Sequence, residues 1–347
     1  MRREVKAQAR AKQNKTKRNV IIIVTVLALL CGSAFAVLHF TKKEEKKPEP
    51  VKEAKLINPL TGLEVKKLQS RPMMLSTDND SYLSRPQSGI SQADIVYEVP
   101  IEGGGSRFEM IFYSKIPGKI GPARSARPYI VDIAREYQAI FVHNGWSQAA
   151  KAYLETGVVA DIPAAYNWKY FYRSDDRNIP HNCYTEGKDV WKCAKEKGFD
   201  VKKEIESFDF YKDKDQVTGK KATKINVDYV AAKNTYVYNE KTKKYDRFTG
   251  GSEFIDKETG KQIAVSNVIV QNVNIAVLDN EGRLKIDLTE GGKGTLFTRG
   301  KAIPITWSRE DLDGRTVYKD KNGEVIKLSK GQTYFQLVDY TVKVNYS

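Results

Sequence analysis

Apolar positions fall into three patterns along the chain. Between Asn19 and Phe40 they are nearly continuous. "NVIIIVTVLALLCGSAFAVLHF" holds about 20 apolar or small residues from Val20 onward, with His39 its only basic group, and about 20 such residues is what a helix needs to cross a bilayer. From Leu56 to Lys212 two periodicities alternate. "ADIVYEVPI" and "RFEMIFYSKI" are rich in Ile, Val, Tyr and Phe and predict strands, joined across Gly103–Gly105. "ARPYIVDIAREYQ" spaces Tyr129, Ile130, Ile133, Ala134 and Tyr137 at helical intervals. Pro128 suits the first turn of that helix, where its missing N–H has no partner to lose. "AIFVHNG" predicts a short buried strand, and "SQAAKAYLETG" a helix capped by Ser147 and stopped at Gly157.

From Asp213 the pattern changes again. Short β-rich runs ("TYVYN", "SNVIVQNVNIAVL", "RLKIDL", "TYFQLV") are separated by the turns "DQVTGK", "DKETGK", "DNEGR" and "DKNGE". Unequal spacing makes these hairpin turns rather than a repeat. "GGKGTLFTRG" (Gly291–Gly300) opens no helix and reads as a mobile turn rather than a phosphate cradle. The expected fold class is α+β: a membrane anchor, a layered α/β domain, then a mostly antiparallel β-rich subdomain. The expected divisions are a basic tail (1–18), a transmembrane helix (19–40), a charged tether (41–55), the α/β domain (56–212) and the β-rich domain (213–347).

Charge sharpens the first of these. Met1–Arg18 carries eight Lys/Arg and one Glu, a net of +7 out of the chain's +15. A basic block before an apolar span places the N-terminus in the cytoplasm and the rest outside. This accounts for the densest basic cluster without nucleic acid, which is not expected as a partner. Two other readings of the span stand beside it: a signal peptide cleaved near Ala36 at "GSAFA", and a lipoprotein modified at Cys31, where Leu30 occupies a position usually held by a small residue. Cys183 and Cys193 are either a disulfide or two unpaired thiols. No CxxC or HxxxH spacing, P-loop or GxSxG motif occurs, so no metal and no cofactor is expected.

Chemistry gathers in the α/β half. "GPARSARP" places Arg124, Ser125 and Arg127 at the start of a helix, where free N–H groups and the helix dipole favour an anion. Arg107 follows the glycine run, and "YRSDDRNIPHN" brings Arg173, His181 and Asn182. "FVHNGW" ends a strand in His143 and Asn144. The expected ligand-binding set is Arg107, Arg124, Ser125, Arg127, Asn144, Arg173 and Asn182. Glu98, His143 and His181 are the catalytic candidates, since carboxylates and imidazoles at strand ends serve as acids and bases. Trp146, Trp168, Tyr170 and Tyr172 offer a stacking face for sugar rings, or belong to the core. The competing structural role for Arg124 and Arg127 is pairing with Glu98, Glu102 or Asp132.

"RPQSGISQADIVYEVPIEGGGSRFEMIFYSKIPGKIGPARSARPYIVDIAREYQAIFVHNG", with "PHNCYT" and the later "GGKGTLFTRGKAIPITW", resembles the YerB-like family of bacterial envelope proteins, built on a domain of unknown function (DUF3048). The resemblance covers nearly all of the chain after the tether. It implies a two-part extracytoplasmic protein of Gram-positive bacteria, often a lipoprotein, and transfers no catalytic residue. Three functions follow in order of expectation. The first is a membrane-anchored module binding an anionic cell-wall or glycan ligand. The second is a hydrolase or transferase acting on a glycan or phosphodiester at the same site. The third is a scaffold for a protein partner.

Overall fold

The computed structural model describes residues 2–40, 55–229 and 232–347. These fall into two compact units, the N-terminal one and Lys55–Ser347. The first is a single helix, α1 (Arg2–Phe40). Within it Lys12–Ser33 is long and apolar enough to cross a membrane, an 18-residue window of it reaching a mean hydropathy of 1.5; at 1.5 Å per residue the 22 residues span about 33 Å. Val20 to Leu30 are exposed along it. Most of the expected tether lies outside the described residues.

The second unit is organised by an 11-stranded mixed sheet. Its α/β half supplies β1 (Met73–Asp78), β2 (Ile95–Pro100), β3 (Ser106–Phe112), β4 (Ile140–His143) and β5 (Ala160–Pro163). The C-terminal half supplies β6 (Lys220–Lys221), β7 (Asn267–Val273), β8 (Gly292–Thr298), β9 (Lys301–Ser308), β10 (Val317–Asp320) and β11 (Thr333–Asp339). The order is β6-β9-β8-β7-β11-β2-β3-β1-β4-β5, with β10 added to β9. β1, β4 and β5 run parallel, with α2 (Pro128–Glu136) entering β4 and α3 (Gln148–Glu155) linking β4 to β5. Every residue of β3 is buried, as expected of a strand covered on both faces. Alternate side chains sort to two cores. Ile95, Tyr97, Ile111 and Phe141 pack with α2 and α3. Val96, Phe108, Met110, Val268 and Tyr334 pack with Val190 and Ala194 of α4 (Gly187–Glu196) and with a second, six-stranded sheet.

One expectation changes. Gly291–Gly300 is no mobile turn: most of it is β8, paired to both β7 and β9. A Cβ at Gly294 would lie 2.5 Å from the Val270 carbonyl oxygen, so this glycine serves close strand approach. The main sheet takes strands from both sides of the expected division at 212/213. β11, near the chain's end, lies parallel to β2 with Ile95 opposite Thr333 and Glu98 opposite Gln336. No local pattern announces a pairing across more than two hundred residues.

A fully buried charge pair lies beside that seam. Arg247, on the second-sheet strand Lys244–Thr249, is fully buried and donates to Glu98 Oε2 at 2.7 Å. Glu98 also accepts from Asn79 (3.1 Å), Ser106 (2.9 Å) and Asn234 (2.9 Å). Nε and Nη1 of Arg247 have no hydrogen-bond partner. Four rings surround its guanidinium instead: Phe254 at 4.4 Å, Phe108 at 4.9 Å, Tyr334 at 5.2 Å and Tyr236 at 5.6 Å. Burial works against this charge, but the Glu98 carboxylate outweighs it and holds the Arg247 pKa above its ordinary value. Glu98, expected as a catalytic acid or base, is therefore committed to the fold, with four donors on two buried oxygens.

Breaking a buried pair costs about 3–5 kcal/mol, because one charge is left uncompensated. Arg247→Met should lose that much in urea unfolding. Adding Glu98→Gln should recover part of the loss, giving a non-additive cycle. Additive losses would show that the two side chains act independently.

Candidate functional site

The segment Pro122–Arg127 is sewn between the carboxyl ends of β1 and β4. Asp78 N–H donates to the Pro122 carbonyl and Arg124 N–H to that of Ser76; Asn144 N–H then reaches Arg124, and Ala126 N–H reaches Gly145. These bonds hold Arg124, Ser125 and Arg127 over the ends of parallel strands, immediately before α2. In open α/β sheets that is where ligands bind.

Most of the expected site residues converge here, but their partners differ. Arg124 spans two carboxylates, with Nε 3.1 Å from Asp78 and Nη2 2.7 Å from Asp80. Arg127 makes a two-pronged bond to Glu102 at 2.7 and 2.9 Å. Both helix-start arginines are thus neutralised internally.

Arg107 is different. It is 3% exposed. Its Nη1 donates to the Ser125 carbonyl and its Nε has no partner. Among the described residues it forms no ion pair. Burial, then repulsion from Arg127 and Arg124, pushes its pKa down to about 10. The nearest acid on its own strand, Glu109, does not compensate. It is buried, accepts from Ser76 Oγ at 3.1 Å, and leaves its other oxygen unpartnered. Burial raises the Glu109 pKa to about 8, so near neutral pH it is largely uncharged.

His181 joins this group through Nδ1, 2.7 Å from the Asp78 carboxylate. Asp78, Asp80 and His181 hold potential ligand atoms within 4.8 Å of one another. Arg124 already supplies positive charge between the two acids. Burial pushes the Asp78 pKa up against the pull of Arg124. His143 is not an available acid or base. It is fully buried, with Nδ1 2.7 Å from the Gly145 carbonyl and Nε2 2.8 Å from Asp161. It fastens β4 to β5.

Asn144 is half-buried at the site, its carbonyl accepting from Ser125 Oγ at 3.2 Å. Arg173 and Asn182 bind each other at 2.7 Å, and no bond links Arg173 to the arginine cluster among the described residues. Arg173 lies over the Trp168 ring at 5.4 Å. Of the expected stacking residues, Trp168 and Tyr172 are exposed and Trp146 half-buried, whereas Tyr170 is buried. Tyr166, 70% exposed and 5.4 Å from Trp146, extends the face. Sequence reasoning passed over Tyr166 because nothing in its spacing marks it. Glu109 reads in sequence as one polar position in a strand. Cys183 and Cys193 are both buried, unpaired thiols.

The raised Glu109 pKa has a signed consequence. Its unfolded value is about 4.3, so between there and about 8 the folded protein holds a proton that the unfolded chain releases. Stability should therefore fall as pH rises through this window, by at most about 1.4 kcal/mol per pH unit. Glu109→Gln should flatten that dependence. An unchanged slope in the variant would mean that Glu109 is already ionised in the folded protein.

Comparison with known proteins identifies the family. Residues 60–200 match the family described as "Protein of unknown function (DUF3048) N-terminal domain", and residues 225–335 match its C-terminal domain. The chain is 35% identical over 316 residues to "Putative lipoprotein YerB" of Bacillus subtilis (strain 168), covering 89% of this chain and 94% of that protein. The crystal structure of YerB protein from Bacillus subtilis superposes with a TM-score of 0.77 at 35% identity, over 84% of this chain and 100% of that one. With both domains in order and most of its length aligned, the chain belongs to the YerB-like family of DUF3048 proteins.

Proposed function

We propose that the protein is a membrane-anchored extracytoplasmic module that binds an anionic envelope ligand, a phosphate-bearing wall polymer or acidic glycan, at Arg107. The carrying observation is the charge balance. Arg124 and Arg127 have carboxylates of their own, while Arg107 is buried with an unpartnered nitrogen and no ion pair among the described residues. An arginine in that state is expensive unless an anion completes it. Three features support the choice of partner. The cluster stands at the carboxyl ends of parallel strands and beside the N-terminus of α2. Exposed Tyr166, Trp168 and Tyr172 offer apolar faces to sugar rings. The apolar helix, its basic flank, and a relative named as a lipoprotein fit attachment to a membrane with Lys55–Ser347 outside.

A hydrolase or transferase is the second reading, favoured by one pair. Asp78 holds His181 through Nδ1, and Nε2 has no hydrogen bond among the described residues. An imidazole oriented by a buried carboxylate is equipped to move a proton.

Thermal unfolding of the full chain in detergent, with and without inorganic phosphate, glycerol phosphate oligomers or muropeptides, tests the site. The ligand should stabilise the native protein by about 2.7 kcal/mol at a hundred times its Kd. Arg107→Gln should abolish the shift without loss of basal stability, since it removes an uncompensated charge. Arg124→Ala, which strips Asp78 of its cation, should cost about 3 kcal/mol. An equal ligand shift in Arg107→Gln, or none in the native protein, would contradict the reading. Turnover of the bound ligand that disappears in His181→Asn would favour the enzyme.

A further inference from the structure

The geometry points to a second site, separate from the arginine cluster: a cavity of 240 Å³ beside Arg315 that takes a carboxylate carried on a small apolar group. It lies between the start of β10 and the segment around Phe208.

Charge balance again carries the case. Two arginines share one carboxylate. Arg309 Nη1 lies 3.6 Å from Glu136 and Arg315 Nε lies 4.0 Å from it, while Glu136 also accepts the Thr316 N–H at 3.1 Å. Nε and Nη2 of Arg309 donate to the Gly314, Asp132 and Leu312 carbonyls, and only its Nη1 lacks a hydrogen bond. Arg315 has only the 4.0 Å approach to Glu136 among the described residues. Its faces are closed by the Tyr137 ring at 4.2 Å and the Phe208 ring at 4.5 Å. Its Nη1 is buried with no hydrogen-bond partner. A guanidinium stacked on both faces can act only through its edge, and a carboxylate fits such an edge.

Arg315 and Thr316 line the cavity together with Phe208, Val317, Val325 and Ile326. Glu206 and Asp209 also border it, but both are exposed and neither pairs with Arg315. One spare positive charge suits a monoanion rather than a phosphate dianion. The apolar wall needs an apolar body to cover it. The volume is below the roughly 300–1,000 Å³ of drug-sized sites, so that body is small. A free short-chain acid and the C-terminus of a polypeptide ending in an apolar residue share this chemistry.

Calorimetric titration of the full chain in detergent tests the site with N-acetyl-leucine, its amide, hexanoate and acetyl-Gly-Gly-Leu. N-acetyl-leucine should bind, and the amide should bind at least about tenfold more weakly, the value of one charged hydrogen bond. Arg315→Gln should weaken the acid by a similar factor. Because that variant disturbs the Glu136 cluster, Val325→Trp provides an independent check. Val325 is 50% exposed at the rim, so the larger ring should close the cavity while leaving the unfolding midpoint in place. Tighter binding of the tripeptide would identify a polypeptide C-terminus, and equal binding of hexanoate a free acid. The inference is overturned if amide and acid bind alike, if Val325→Trp titrates like the native chain, or if no acid binds at millimolar concentration.

Discussion

Moving a guanidinium out of water costs several kcal/mol unless the interior replaces what water provided. Arg247 is fully buried at the seam between the main sheet and the second sheet, and the replacement comes from several parts of the chain. Glu98 on β2 supplies the counter-charge, and Phe108, Tyr236, Phe254 and Tyr334 supply ring faces. Those residues come from both family-matched segments. Neither half can bury its share alone. β11 crosses into the first half beside β2, and Tyr229 ties the Glu98 carbonyl to that of Leu337 on β11. Two sequence domains thereby become one compact unit.

The same reasoning separates structural arginines from reactive ones. Arg124, Arg127 and Arg247 have carboxylates placed for them, and each contributes to stability through a pair. Arg107 is buried but forms no ion pair among the described residues, and Arg315 shares the single Glu136 carboxylate with Arg309. A fold spends part of its stability on such groups where a ligand is to complete them. The helix-start arginines, conspicuous in sequence, hold the loop in place; the residue they surround carries the proposed binding.

Local pattern made much of the fold legible. The strands around Ile95–Pro100 and Ser106–Phe112, the two helices after Arg127 and Ser147, and the membrane-length helix followed from spacing and capping alone. The α+β class followed too. Three things did not. β8 was hidden because its glycines allow close packing against Val270, which looks like a flexible turn in one dimension. The parallel seam was hidden because β2 and β11 are distant in sequence. Glu98 and His143 looked available for catalysis because polar residues at strand ends often are. Only their neighbours, Arg247 and Asp161, reveal that they are engaged. Arg107 was legible as a candidate, but its missing counter-ion was not, since pairing is a property of three-dimensional surroundings.

The most direct measurement is nitrogen–proton NMR of the arginine side chains in the full chain, titrated with glycerol phosphate oligomers. Arg107 Nε–H has no partner in the free protein, so its resonance should shift saturably as the anion arrives. The signals of Arg124 and Arg127, already bonded to Asp80 and Glu102, should move less. A stationary Arg107 signal while other arginines respond, or a linear drift shared by all of them, would contradict an anion site at this residue.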